Sequence, residues 1–385
     1  MTHLKKTDSL RILTLCYEYP PVGGGGGRVA AQVAAGLVER GHQVRVQTAG
    51  VGDLPKREMR DGVEIFRTPS FRKKHDTCTV AEMGLYVATS FFPTLHHLRQ
   101  WQPHVIHAHF AVPTGALAWL ASRVIHRPYL LTVHLGDVPG GVPEQTASLF
   151  RLVKPFTHPI WNRAAGITAV STFVQKLAEK AYHRTPQIIL NGISLKDHVP
   201  IGDKPMGKLP RIAFVGRMST QKNPLLALEA LKKIETLDWE ADFVGDGPLL
   251  SELRQKAKEW NLEERVQFHG WTDADGVRRI LQNADILLMT SLSEGLPMAG
   301  IEALSMGLAL VTSRIDGVSD ILIHNENGLS IPLEKGADGF ADALRVLLFD
   351  PLKLTSFQQA SLRKVSDFDL EKIISIYESA LYQIL

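Results

Sequence analysis

Residues 11–17 read RILTLCY, residues 29–40 read VAAQVAAGLVER, and residues 44–48 read VRVQT. The first and third are short apolar runs rich in β-branched residues, which suit a pleated strand; the middle one repeats its apolar residues at helical spacing. A helix lying between two consecutive strands makes the pair parallel. The rhythm continues with strands expected at 105–109, 129–133 and 166–170. It pauses in a polar stretch, 196–209, which holds Pro200, Gly202, Pro205 and Gly207 and reads as an interdomain linker. It restarts with RIAFV at 211–215, followed by strands expected at 242–244, 266–268, 286–289 and 309–312. The expected fold class is therefore α/β, with two Rossmann-like doubly wound domains over 1–195 and 210–368. An amphipathic helix over 369–385 ends the chain and is placed to pack back on the N-terminal domain.

A chain of 385 residues is too long for one ordinary domain and fits two. With 44% hydrophobic and 22% charged residues it can bury a core in each without staples. Cys16 and Cys78 have no metal spacing and suit a reducing compartment; Cys16, inside an apolar run, reads as a buried inert thiol. The first ten residues are polar, and no apolar run is long enough to span a bilayer. A cytoplasmic protein is expected, peripheral to the inner face of the membrane at most. Residues 1–190 carry 22 Lys+Arg against 12 Asp+Glu, and residues 191–385 carry 21 against 28. A basic half beside an acidic half suggests an anionic ligand or surface on the basic side, or simple drift of two halves apart in charge.

Three segments carry chemistry. The first is Pro20-Pro21-Val22, five glycines from Gly23 to Gly27, then Arg28 and a helix. Glycines let backbone N–H groups approach a phosphate, and the helix N-terminus favours negative charge. Gly25-x-Gly27-x-x-Ala30 matches the dinucleotide fingerprint, but about eight residues separate it from Cys16, and the second strand ends Gln47-Thr48-Ala49 without a carboxylate for a ribose. An NAD-dependent enzyme is therefore disfavoured. The second segment runs from Gly216 through Arg217 and Lys222 to Pro224, two cations five residues apart on a strand-to-helix loop, able to clamp a diphosphate or merely solvated. In the third, Glu294-Gly295-Leu296-Pro297-Met298 precedes a helix carrying Glu302 among Ile301, Ala303 and Leu304. There the helix N–H groups would face a phosphate, Glu294 would meet sugar hydroxyls and Glu302 a ribose. The competing reading makes both glutamates ordinary helix residues, although an idle charge among apolar neighbours is costly.

Glu294-x7-Glu302, Gly216-Arg217 with Lys222, and the glycine loop ending at Arg28 together resemble glycosyltransferase family 4. So do Val105-Ile106-His107-Ala108-His109, Thr132-Val133-His134, Asn191-Gly192-Ile193 and Gly245-Asp246-Gly247-Pro248. The resemblance implies the GT-B fold, two Rossmann-like domains facing across a cleft. It also implies a retaining, nucleotide-sugar-dependent enzyme of the hexosyltransferase type that needs no metal and no other cofactor. By similarity, Arg217 and Lys222 neutralise the leaving diphosphate and Glu294 holds the donor sugar. His134 lines the site near the transferred group. Gly216, Gly295, Leu296, Pro297, Met298 and Glu302 bind the donor, as do Gly24, Gly25 and Arg28 from the other domain. His109 and Asp137 fall on the acceptor side, with His107 a weaker candidate. Partners are then a nucleotide-sugar donor, UDP-linked first and GDP-mannose second, and a glycan, lipid-linked or small-molecule acceptor, as in polysaccharide or glycolipid synthesis.

Asp273-Ala274-Asp275 resembles the metal motif of another glycosyltransferase fold, but it precedes a helix, where aspartates cap. His42, His96 and His97 are expected at the surface. Arg72-Lys73-Lys74-His75 ahead of the apolar 83–98 stretch offers a basic, apolar face to a membrane, against the competing reading of a core-packed helix kinked at Pro93. No aromatic-basic interleaving points to nucleic acid. The rival functions are a nucleotide-sugar epimerase or hydrolase on the same fold, and a silent sugar-nucleotide binding protein.

Overall fold

The computed structural model describes residues 8–72, 78–142, 157–197 and 209–385. The chain divides into two compact units, Met1–Asn191 with Glu371–Leu385, and Gly192–Leu370. The division falls a few residues ahead of the 196–209 stretch, of which residues 198–208 lie outside the described residues. Ile193 accounts for the earlier boundary. Its N–H donates to the Phe368 carbonyl at 3.0 Å and its own carbonyl accepts from Leu370 at 3.0 Å, so the two crossing segments are tied to each other in the second unit.

In the first unit, β1 (Arg11–Cys16), β2 (Gln43–Gly50), β3 (Arg57–Arg60), β4 (Val63–Pro69), β5 (Val105–His109), β6 (Tyr129–Val133), β7 (Gly166–Ala169) and β8 (Gln187–Ile188) form one sheet. Its order is β3-β4-β2-β1-β5-β6-β7-β8, parallel except for the antiparallel edge strand β3. Strands β3, β4 and β8 go beyond the sequence reading. Helix α1 (Gly25–Glu39) starts four residues earlier than the apolar spacing indicates and takes the last three glycines into its first turn. Helix α2 (Val80–His96) is N-capped by Thr79 in a reciprocal box with Glu82. It buries Tyr86 and Leu95, and a π-helical turn, His97–Trp101, follows it and buries Leu98. Phe92 stays 75% exposed. Helices α3 (Ala116–Val124) and α4 (Thr172–Tyr182) follow β5 and β7.

The second unit has a six-stranded all-parallel sheet. Its strands are β9 (Arg211–Val215), β10 (Glu240–Val244), β11 (Val266–Gly270), β12 (Ile286–Met289), β13 (Ala309–Ser313) and β14 (Gly328–Ile331), in the order β11-β10-β9-β12-β13-β14. Helices α5 (Pro224–Lys232), α6 (Leu250–Glu259), α7 (Ala274–Asn283), α8 (Met298–Ser305), α9 (Gly336–Phe349) and α10 (Pro351–Lys364) cover it. The last helix, α11 (Leu370–Gln383), lies against α1 in the first unit: a Cβ on Gly36 would fall 1.9 Å from Ile374 Cδ1, and Arg40 pairs with Glu378 at 3.1 Å.

Three surface expectations are corrected here. His42 is buried, its Nδ1 accepting from Leu10 N and its Nε2 meeting Glu378 Oε1 at 2.9 Å, because α11 covers it. His97 is buried against Phe66, and burial pushes its pKa down to about 4. Arg72 is buried too, over the Tyr17 ring and paired with Glu18 at 3.3 Å, so it offers no charge to a membrane; Lys73, Lys74 and His75 lie outside the described residues. Among the described residues, no helix is long and apolar enough to cross a membrane.

Candidate active site

In an open parallel sheet, ligands meet the carboxyl ends of the strands where the strand order reverses, because neighbouring loops there diverge and leave a crevice. In the second unit that point lies between β9 and β12, the two strands followed by the segments singled out in the sequence. The loop after β9 runs from Gly216 to Asn223, and the loop after β12 from Thr290 to Pro297. They are laced together. Leu292 N donates to the Gln221 carbonyl at 2.8 Å, Gln221 Nε2 to the Ser293 carbonyl at 3.0 Å, and Thr290 Oγ1 to the Asn223 carbonyl at 2.7 Å. At the centre, Lys222 Nζ meets Glu294 Oε1 at 2.6 Å, and Ser291 Oγ donates to the same oxygen at 2.6 Å. Glu294 is buried and Lys222 half-buried.

The backbone explains the glycines. A Cβ on Gly245 would lie 2.0 Å from the Gly216 carbonyl oxygen, and one on Gly247 would lie 2.5 Å from that of Met218. Both have positive φ, +129° and +154°. Only glycine lets the loop after β10 press on the Gly216–Met218 backbone, which is hydrogen-bonded to it through Met218 N and the Asp246 carbonyl at 2.9 Å. Gly317 is equally tight, its Cβ position 1.7 Å from the Glu294 carbonyl oxygen. Arg217 is half-buried on the same loop as Lys222. Helix α8 has Pro297 at its N-cap and no side-chain cap, so the N–H groups of Met298 and Ala299 have no partner within the helix. Gly295, Leu296, Pro297 and Met298 are buried at this start, and Glu302 is buried one turn further on.

In the first unit the order reverses between β1 and β5, and the expected residues gather at the ends of β1, β5 and β6. Gly24 is the N-cap of α1, which has no side-chain cap and no acidic residue in its first turn. Arg28 is half-buried one turn along. Gly24 and Gly25 are exposed, and a Cβ on Gly24 meets nothing within 4 Å. The constrained glycines lie on either side: Gly23, with a φ of +93° and a Cβ position 2.5 Å from Glu18 Cβ, and the next two, Gly26 and Gly27. A Cβ on Gly26 would lie 2.6 Å from Phe110 Cζ and 3.2 Å from His134 Nδ1, and one on Gly27 would lie 2.3 Å from the Glu18 carbonyl oxygen. Nothing in the glycine run itself distinguishes these positions.

His134 directly follows β6, stacked on Phe110 at 4.4 Å between ring centroids. Burial pushes its pKa down to about 4, so the ring is neutral at pH 7. His109 is fully buried, its ring between His107 (4.2 Å) and His134 (5.8 Å), and burial holds it well below the usual histidine value. His107 lies deeper, with Nε2 on Thr132 Oγ1 at 2.8 Å and the Tyr377 ring 5.5 Å away. Asp137 is buried and its two oxygens accept from Ala111 N at 2.7 Å and His134 N at 2.8 Å. His109 and Asp137, expected on the acceptor side, are both buried in this unit. Strand alternation sends His109 inward, and backbone N–H groups occupy the Asp137 carboxylate. Phe110, Gly26 and Ser291 belong to the two sets of residues and were missed; Gly245 was named as part of a motif, and its close approach to Gly216 supplies the reason.

Among the described residues, no three His, Cys, Asp or Glu side chains are grouped to hold a metal. Asp273 caps α7, accepting from Gly276 N at 2.8 Å, and Asp275 pairs with Arg278 at 3.2 Å. Cys16 donates its thiol to the Glu18 carbonyl, and burial pushes its pKa up.

Comparison with known proteins finds glycosyltransferase domains in both halves of the chain. Residues 209–350 match the family model described as glycosyl transferases group 1, and residues 24–190 the glycosyl transferase 4-like domain. A putative teichuronic acid biosynthesis glycosyltransferase of Bacillus subtilis is 30% identical over 303 residues, 75% of this chain and 72% of that protein. Sucrose-phosphate synthase from Thermosynechococcus elongatus superposes with a TM-score of 0.82 at 20% identity, over 97% of this chain and 98% of that one. Anabaena Alr3699/HepE in complex with UDP and glucose gives 0.75 at 19% identity, over 97% and 100%. With matching domains in both halves and the fold of these structures, the chain belongs to glycosyltransferase family 4 and has the GT-B fold.

Proposed function

We propose that this glycosyltransferase moves a sugar from a nucleoside diphosphate to a hydroxyl acceptor with retention of anomeric configuration and without a metal. The observation that carries the reading is the interlock of Lys222, Glu294 and Ser291 at the switch point of the second unit. Leaving-group departure builds negative charge on the diphosphate, and fixed cations with helix N–H groups lower the barrier where that charge appears. Arg217 offers a fork and Lys222 a point charge held in place by Glu294; the start of α8 adds N–H donors. In this reading Glu294 also contacts sugar hydroxyls and Glu302 the ribose. From the first unit, the α1 N-terminus and neutral His134 serve the transferred group and the acceptor. The acceptor proton passes to the departing phosphate. A retaining glycosidase needs two carboxylates about 5 Å apart, and the pairing of Glu294 with Lys222 argues for a different division of labour.

A UDP-linked sugar is the first candidate donor, in keeping with the UDP and glucose held by the Anabaena protein, and GDP-mannose is the second. A glycan acceptor fits the teichuronic acid relative, with lipid-linked or small acceptors as the other classes. For a lipid-linked acceptor, the exposed Val80, Leu85 and Phe92 of α2 supply the apolar side of a peripheral membrane contact. Purified enzyme with UDP-glucose or GDP-mannose in EDTA should release the nucleoside diphosphate, and NMR of the product should show the donor's anomeric configuration. An inverted product, or activity that needs added manganese, contradicts the reading.

A further inference from the structure

We infer that Asp137 and Phe110 are positioning residues for His134, holding its ring in one orientation beneath the N-terminal turn of α1. The inference rests on the reading of His134 as a group that serves the transferred sugar. A ring at a strand end turns about two single bonds, and its Nε2 has no hydrogen-bond partner among the described residues. The His134 side chain accepts from the Asp137 N–H in a reciprocal box with the Asp137 carboxylate, and the neighbours hold the rest of the ring.

The holding is done from both sides. One carboxylate bridges the chains that leave β5 and β6: Asp137 Oδ1 accepts from Ala111 N at 2.7 Å and Oδ2 from His134 N at 2.8 Å. Asp137 N in turn donates to the His134 carbonyl at 3.0 Å. The residue before Ala111 is Phe110, with a φ of +73°, a region a bulky side chain enters only when its surroundings hold it there. Here the Thr132 carbonyl takes its N–H at 3.0 Å and Gly115 N donates to its carbonyl at 2.9 Å. That backbone turns the Phe110 ring onto His134, with 28° between the planes. His109 lies on another side of His134 at 5.8 Å, and Gly26 passes so close that a methyl there would strike both rings. A buried carboxylate is expensive unless charge-assisted hydrogen bonds meet it. Asp137 receives them from backbone N–H groups on the turns that carry the stacked pair.

The amide of Asn can accept through only one of its two heavy atoms, so Asp137→Asn breaks one link while keeping the volume. The test uses the full chain with 15N-labelled histidine, the His134 ring being assigned from its loss in His134→Gln. In the wild type at pH 8 the two ring nitrogens should report one neutral tautomer. In Asp137→Asn, with a cooperative melt confirming the fold, the His134 signals should broaden or shift toward a tautomer mixture. Phe110→Leu removes the stack without touching the carboxylate, should give the same change, and carries the test if Asp137→Asn does not fold. Unaltered His134 signals in either folded variant overturn the inference. Turnover gives a second arm, with UDP-glucose as the probe. Asp137→Asn should lower kcat roughly tenfold or more with little change in donor KM, and that loss should vanish in a His134→Ala background. Losses that simply add overturn the inference. If no donor turns over, the proposed function fails while the ring spectra still decide the clamp.

Discussion

A single methyl group separates tolerance from failure along the glycine run. Gly24→Ala places its Cβ in open space and should leave melting within about 0.5 kcal/mol of wild type. Gly26→Ala drives a methyl into Phe110 and toward His134; overpacking of this kind costs about 1–3 kcal/mol, and activity should fall with it. Thermal melts and turnover of the two variants side by side check this, and equal behaviour would show that the rings yield. In the second unit, Lys222→Ala leaves Glu294 buried with only Ser291 on its paired oxygen and removes a cation from the proposed diphosphate clamp. Loss of one preorganised group of this kind costs roughly 10²-fold in turnover, so a variant within threefold of wild type would displace Lys222 from the mechanism. The motif residues were legible because each combines a charge or a glycine with a strand end. Phe110 was not, because its role depends on a positive φ and a neighbour from another strand, neither of which leaves a local signal.

At the scale of elements, capping decides the reading of Asp273-Ala274-Asp275. Asp273→Ala removes the bond to Gly276 N and should cost about 1 kcal/mol of stability with no change in activity, with or without EDTA. A loss of activity restored by manganese would reopen a metal role. Helix α11 makes a sharper case. Ile374→Ala empties the space over Gly36 and should destabilise the first unit by about 2–5 kcal/mol, visible as earlier hydrogen exchange in α1. The parallel strands were legible from their β-branched runs, and the helices from apolar spacing. The start of α1 was not, since glycines carry no helical preference and only the packing of Gly26 and Gly27 draws them into the turn. Strands β3 and β4 mix arginines and glutamates with apolar residues, Arg45 and Arg57 pairing with Glu64, so a charged edge hid them. His42 was misread because its partner Glu378 is distant in sequence.

Across the whole molecule, buried titration links stability to pH. Burial pushes the Asp137 carboxyl up to about 7, against the pull of the His134, Ala111 and Val112 backbone N–H groups, while the charge on Glu18 raises it further. Tyr182 is another titratable group that feels its charge. A folded pKa above the unfolded value means the contribution to stability is full below the unfolded pKa, near 3.8, and is lost as pH rises through about 7. Stability from this source should decline between pH 4 and 7.5, while turnover should rise as the ionised carboxylate forms both backbone bonds. Asp137→Asn should flatten both curves in melts and rate profiles. The two-unit α/β architecture was legible from the repeating strand–helix rhythm; the Asn191 boundary was not, because it depends on pairing between residues 193 and 369. The central claim is that a nucleoside diphosphate is held by the Gly216–Asn223 and Thr290–Pro297 loops. Calorimetric titration of UDP, GDP, ADP and NAD in EDTA, into wild type, Lys222→Ala and Arg217→Ala, tests it most directly. The account predicts binding of one nucleoside diphosphate, weakened at least tenfold in both variants. Binding of NAD alone, or diphosphate binding untouched by either substitution, would contradict it.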